Sequence, residues 1–130
     1  METEKALTFL DKYNYIYSVK GNTIFVKLEF SQRIRIEFNE PHKIIIKDKL
    51  VGWNFLTGLF DMSLKNALIY NLFGSIILGS LSVYSGSNYH NMYFIAMYLI
   101  FMTWAFVLFT FYLVKLESFK IQILNWINKQ

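Results

Sequence analysis

One stretch of this chain limits the folds that it can adopt, because residues 66–114 contain no Lys, Arg, Asp or Glu in 49 consecutive positions. The hydrocarbon core of a bilayer is about 30 Å thick, and a helix needs about 20 apolar residues to cross it. The stretch is therefore long enough for two crossings. A polar segment, residues 85–91, divides it. The pattern predicts a membrane-embedded hairpin with helices over residues 64–84 and 92–115 and an external loop over residues 85–91.

Lysines flank this stretch on both sides and are missing from the loop inside it. They are Lys43, Lys47, Lys49 and Lys65 before the uncharged stretch and Lys115, Lys120 and Lys129 after it. By the positive-inside rule, both termini are expected in the cytoplasm. The chain is rich in Ile, Lys, Asn, Phe and Tyr, a usage typical of AT-rich bacterial genomes. The expected location is therefore the bacterial inner membrane.

Composition and motifs exclude most kinds of chemistry. The chain has no Cys, which removes disulfides and thiolate metal sites. It contains no Gly-rich phosphate loop, no Gly-x-Ser-x-Gly and no His-Glu-x-x-His. His42 and His90 fall on opposite sides of the membrane and cannot share a metal. We expect no enzyme activity, no cofactor and no metal, and the net charge of +4 is too dispersed to indicate nucleic-acid binding.

Residues 1–48 are predicted to form a small cytoplasmic α+β domain. Apolar spacings of three and four over residues 3–12 predict a short helix. Apolar residues then alternate, and Gly21-Asn22 predicts a hairpin that pairs Val19 with Ile24 and Tyr17 with Val26. The same parity continues past residue 30, so the next connection is either an odd-length loop or one long bent strand. The helix is expected to lie on a three- or four-stranded antiparallel meander.

Residues 49–63 are too apolar for a solvent loop and are interrupted by Gly and Asp. We expect an interfacial connector, and the alternative is a strand or helix buried in the soluble domain. The side chains expected at the membrane interface are Trp53, Phe55, Phe60, Lys65, Lys115 and Trp126. Possible ligands for lipid headgroups are Lys43, Lys47 and Lys49.

Small and polar residues recur at helical spacing in both apolar helices. In the first helix these are Asn71, Ser75, Gly79 and Ser82, and in the second they are Ala96, Thr103 and Thr110. Such stripes let membrane helices approach closely, so we expect the hairpin to pack stripe against stripe. The alternative is that these groups line a solute path in an oligomer.

Residues 116–130 carry an apolar stripe at spacings of three and four, which predicts a separate amphipathic helix. This helix is expected on the cytoplasmic leaflet or against the connector. Alternation over residues 119–123 leaves a strand as the other possibility.

These observations predict an α+β membrane protein: an N-terminal helix, an antiparallel β-meander, a two-helix transmembrane hairpin and a C-terminal amphipathic helix. Small size and the absence of a recognisable site favour an accessory or regulatory interaction protein. Its expected partners are membrane lipid and either a larger membrane protein or further copies of itself. The alternatives are a homo-oligomeric permeation module and a lipid-binding or lipid-modifying module.

Overall fold

The computed structural model describes residues 2–39, 43–89 and 92–129. Helix α1 is followed by four strands and two long helices: α1 (Glu2–Lys12), β1 (Ile16–Lys20), β2 (Thr23–Lys27), β3 (Gln32–Asn39), β4 (Lys43–Leu50), α2 (Leu64–Tyr89) and α3 (Tyr93–Lys129). The predicted α+β layout is thus observed. By length and composition, α2 and α3 could each cross a membrane.

The strands form one antiparallel sheet in the order β1-β2-β3-β4. Gly21 has a φ of +56°, and the hairpin it opens pairs Val19 with Ile24, which confirms the predicted register. Lys27 of β2 pairs with Arg33 of β3, and the Leu28 N–H donates to the Gln32 carbonyl at 2.8 Å, so a loop of three residues, 29–31, connects the paired segments. The connection is therefore the odd-length loop and not one bent strand. The sequence Asn39-Glu40-Pro41-His42 predicts a turn, and its positions 40–42 lie outside the described residues.

One face of the sheet packs against α1 and the last third of α3. The sheet, α1 and α3 all contribute buried side chains to this contact: Phe9, Leu10, Ile24, Val26, Ile34, Ile36, Phe119 and Ile123. The ring of Phe119 meets those of Phe9 and Tyr15 edge-on. The apolar stripe after residue 115 therefore packs on α1 and the sheet, and not on a lipid leaflet or the connector as expected from the sequence.

Helix α3 differs from the prediction because it runs unbroken for 37 residues. The second hairpin helix and the C-terminal amphipathic helix are one element, and the alternative strand over residues 119–123 is not formed. No Gly or Pro interrupts residues 93–129, so nothing in the backbone ends the helix where its charged residues begin.

Helix α2 also extends further than predicted, through Ser85-Gly86-Ser87 to Tyr89. Ser and Gly lower helix stability by only about 1 kcal/mol per residue or less, so an established helix continues through them. Of the predicted external loop, residues 85–89 are helical. Positions 90 and 91 lie outside the described residues.

Candidate functional site

The connector folds as a compact loop closed by two small ladders. Leu50 and Met62 exchange main-chain hydrogen bonds of 2.7 and 3.2 Å, and Asn54 and Gly58 exchange bonds of 2.9 and 3.0 Å. The Asn54 side chain is 2% exposed; its Nδ2 donates to Thr57 Oγ1 at 2.7 Å and its Oδ1 accepts from the Thr57 N–H at 2.9 Å. These bonds hold the polar groups inside the loop.

The same loop turns its large apolar side chains outward. Trp53, Phe55, Leu59 and Phe60 are between 52% and 79% exposed, and the rings of Trp53 and Phe55 contact each other edge-on. Exposed apolar side chains gathered on one loop usually mark a contact surface. The connector is therefore neither a strand nor a helix buried in the domain.

One carboxylate, Asp48, joins the sheet to α2, and one carboxamide, Asn71, joins the connector to α2. Asp48 Oδ2 accepts the N–H of Leu64 at 2.6 Å and so caps the start of α2, while Ser63 Oγ accepts the N–H of Asn66 at 3.3 Å. Asn71 Nδ2 donates to the carbonyl oxygens of Leu56 and Ala67, both at 2.8 Å. Asn71 therefore binds the connector and its own helix.

The loop between β2 and β3 ties the sheet to α3 and to the connector. Phe30 and Ser31 have φ values of +56° and +65°, which cost a residue with a side chain on the order of 1 kcal/mol each. The Tyr112 hydroxyl donates to the Phe30 carbonyl at 2.8 Å, and the Val51 N–H donates to the Ser31 carbonyl at 2.8 Å. Lys115 forms an ion pair with Glu29. Residues 29–31 with these partners are called the junction below.

The two long helices pack through one predicted stripe and not through the other. Asn71, Ser75, Gly79 and Ser82 lie on the less exposed side of α2. A Cβ at Gly79 would come within 3.0 Å of the Tyr98 ring, so a side chain of α3 packs directly on the α2 backbone there.

The predicted stripe on α3 is exposed instead of packed. Ala96, Thr103 and Thr110 are all exposed, and the two threonine hydroxyls donate to carbonyl oxygens of α3 itself at 2.9 Å. The α3 residues that line the crevice facing α2 include the small Ala105, but most of them are large, among them Met102 and Phe109. The prediction of stripe against stripe is therefore not what the structure shows. The small α2 side chains instead leave room that large α3 side chains fill.

The side chains expected at a membrane interface do not all lie close together, and two of them are well separated along the axis of α3. Lys65 is exposed at the start of α2, and Lys115 Nζ lies 4.9 Å from the centre of the Phe111 ring. Trp126 is eleven residues further along α3, about 16 Å away along the helix axis. Its ring packs 6.0 Å from Phe9 in the contact between α1 and α3. Trp126 is therefore half-buried and packs against the domain core.

The three lysines of β4 share one face of the sheet but not one position. Lys49 Nζ lies 3.5 Å from Asp61 in the connector, and Lys47 Nζ lies 3.4 Å from Glu37. Lys43 is six residues from Lys49, about 20 Å along the strand. Only Lys49 lies beside the connector, so the three do not form one cluster.

Asp61 is a connector residue whose pKa is shifted by its surroundings. The Gly52 N–H donates to its Oδ1 at 2.8 Å and is the main reason that the pKa of Asp61 lies below its ordinary value. The positive charges of Lys49 and Arg33 lower this pKa further. The carboxylate therefore stays charged and holds the two ends of the loop together.

Sequence reasoning missed the hydrogen bonds inside the connector, although Asn54 and Thr57 are three residues apart, a spacing typical of a side-chain-stabilised turn. Within residues 2–39, 43–89 and 92–129, no three His, Cys, Asp or Glu side chains are grouped so as to hold a metal ion. Comparison with protein-family models, curated proteins and solved structures finds no match to this chain.

Proposed function

We propose that this chain is a small accessory or regulatory protein of the cytoplasmic membrane. In this proposal α2 and α3 cross the bilayer as a hairpin, the connector lies in the cytoplasmic headgroup layer, and the sheet and α1 contact a larger membrane protein. The observation that carries the proposal is how the polar side chains are used. Asp48, Asn54 and Asn71 are committed to holding the parts together, whereas the exposed surface is apolar helix and charged strand.

Exposed apolar area on the helices supports membrane insertion. Large side chains such as Phe73, Phe106 and Leu72 are more than half exposed, and water-soluble monomers rarely expose a continuous apolar surface of this kind. The exposed side chains of the connector lie just before the start of α2. A loop with Trp and Phe at that position suits the headgroup region.

Single cysteines test the placement cleanly because the chain has none of its own. Ser87→Cys is expected to react with a membrane-impermeant maleimide in intact cells. Thr3→Cys and Lys129→Cys should react only after the membrane is made permeable. Labelling of Thr3→Cys in intact cells, or recovery of the protein without detergent, would contradict the proposal.

Purification tests the accessory role itself. The tagged protein, extracted in mild detergent, should retain a second membrane protein in fixed stoichiometry. Because the proposal places the connector against lipid, Trp53→Ser/Phe55→Ser should leave that partner bound. A monodisperse single chain that retains no other protein would contradict the role, even if the topology were confirmed.

A further inference from the structure

The outer face of the sheet, turned away from α1 and α3, is strongly basic. Strand pairing sets Lys27 opposite Arg33 and Arg33 opposite Lys49, and alternate residues of all four strands share their face. The cations on this outer face are Lys20, Lys27, Arg33, Arg35, Lys43, Lys47 and Lys49, and every one is exposed. Within the described strands the outer face carries a single carboxylate, Glu37. The sequence hides this segregation because the cations alternate with inward-facing apolar residues.

Part of this outer face is a hollow of about 360 Å³ beside β1. Phe25 and Ile16 contribute apolar surface to it, and three cations contribute to its lining, which includes no carboxylate: Lys20, Lys27 and Arg33. Glu37 reaches Arg35 at 2.7 Å and Lys47 at 3.4 Å, so it neutralises the neighbouring part of the face. The hollow combines an apolar wall with a positive rim, which suits an anionic group carried on an apolar or extended backbone.

The sheet edge next to the hollow offers main-chain groups as well. β1 ends the strand order, and among the described residues no strand pairs with its outer side. An extended segment that joins such an edge forms main-chain hydrogen bonds and places alternate side chains on one face. If those side chains are acidic, those on the outer face lie beside Lys20 of β1 and one strand away from Lys27 of β2.

Deepening the proposed accessory role, on which this step rests, we infer that the outer face binds an acidic, extended segment of a partner protein that pairs with β1. Anionic lipid is a poorer occupant. Lys20 lies about 13 Å further from the connector end of the sheet than Lys27, and the attraction of a charged leaflet falls off within a Debye length of about 8–10 Å.

Two further occupants also fit less well. A second copy would bring an equally basic face, and like charges repel. Single-stranded nucleic acid usually stacks on several aromatic rings. On the described part of this face Phe25 is the one aromatic side chain, and the Arg35 guanidinium already lies 5.8 Å from its ring centre.

A defined peptide tests this surface. The full-length protein is placed in nanodiscs of neutral phosphatidylcholine, and a fluorescent peptide of about ten alternating Glu and Thr residues, twice the length of β1, is followed by anisotropy. We expect saturable binding that weakens about tenfold when NaCl rises from about 50 to about 300 mM. The same peptide with Lys in place of Glu should not bind.

Two matched comparisons locate the binding. Lys27→Glu/Arg33→Glu should weaken it about tenfold, whereas Lys65→Glu/Lys129→Glu, which changes two exposed lysines elsewhere, should alter it less than about twofold. An acidic peptide with alternate amides N-methylated keeps its charge but cannot pair with an edge strand. It should bind about tenfold more weakly than the unmodified peptide.

Absence of peptide binding, or equal binding to the two double variants, would overturn the inference. Tighter binding of a single-stranded RNA of equal charge than of the acidic peptide would also overturn it. So would a weakening of binding by Lys27→Glu/Arg33→Glu that appears only when the nanodiscs contain anionic lipid. Equal binding of the N-methylated peptide would overturn the pairing with β1. These results are independent of topology and of partner retention, so failure of the proposed function is distinguishable from failure of this surface.

Discussion

The hydroxyl of Tyr112 on α3 donates a 2.8 Å hydrogen bond to the main-chain carbonyl of Phe30 in the loop between β2 and β3. Tyr112 is 1% exposed, and Phe30 is held at a positive φ that its side chain disfavours. The bond therefore stabilises a strained turn from an element 82 positions away in sequence. Gln32 Nε2 also donates to the main-chain carbonyl of Tyr112 at 3.4 Å, so Tyr112 links α3 to both ends of this turn.

Tyr112→Phe should lower the free energy of unfolding by about 1–2 kcal/mol, because it removes the donor and leaves the Phe30 carbonyl without that partner. Hydrogen exchange should rise across residues 28–31. The control is Tyr84→Phe, which changes a side chain that is 69% exposed. Equal effects of the two variants would show that the bond contributes nothing.

At Gly79 a side chain of α3 packs directly on the backbone of α2, since an added Cβ would lie 3.0 Å from Tyr98 Cζ. Gly79→Leu should destabilise the helix pair by about 1–3 kcal/mol through overpacking. Gly74 has no heavy atom within 4 Å of such a Cβ, so Gly74→Leu should be neutral or slightly stabilising through helix propensity. Circular dichroism of unfolding in detergent measures the stability of both variants. A smaller loss for Gly79→Leu than for Gly74→Leu would contradict the packing.

The strands and their register could be predicted because local signals agreed. Gly21 suits the turn, and the alternation around it places Ile24 and Val26 on one face, so a shift by one residue would expose the whole apolar set. The existence of both long helices followed in the same way from an uncharged stretch of sufficient length.

The junction and the helix contact could not be predicted, because each depends on partners distant in sequence. Nothing local suggests a positive φ at Phe30 or Ser31; both depend on hydrogen bonds to the connector and α3. Small-residue spacing located the packed side of α2 but not that of α3, where Tyr98 and its neighbours make the contact. A stripe shows where a helix can be approached and does not identify what approaches it.

Asn54 is the side chain on which the shape of the connector depends. Asn54→Ala should leave the N–H groups of Leu56 and Thr57 without their acceptor, at a cost of about 1–3 kcal/mol. The loop should then open locally, with faster hydrogen exchange over residues 52–60 and a changed Trp53 fluorescence. Asn66→Ala, at an exposed position of α2, serves as the control. If Asn54→Ala left exchange in the loop unchanged, the buried hydrogen bonds would not be what shapes it.

Asp61 makes the closure of the connector depend on pH. Its pKa is lowered in the folded state, first by the Gly52 N–H and then by the charge of Lys49. A carboxylate with a lowered folded-state pKa adds stability at pH values above its ordinary pKa, and this stability is lost as pH falls through the folded-state value. Wild type should therefore exceed Asp61→Asn in thermal stability near neutrality, and the two should converge as pH falls below about 4. Adding Lys49→Met to both chains should shrink the difference at neutral pH, since one of the charges that favour the carboxylate is gone. A difference that persists unchanged in acid would show that ionisation of Asp61 does not hold the loop closed.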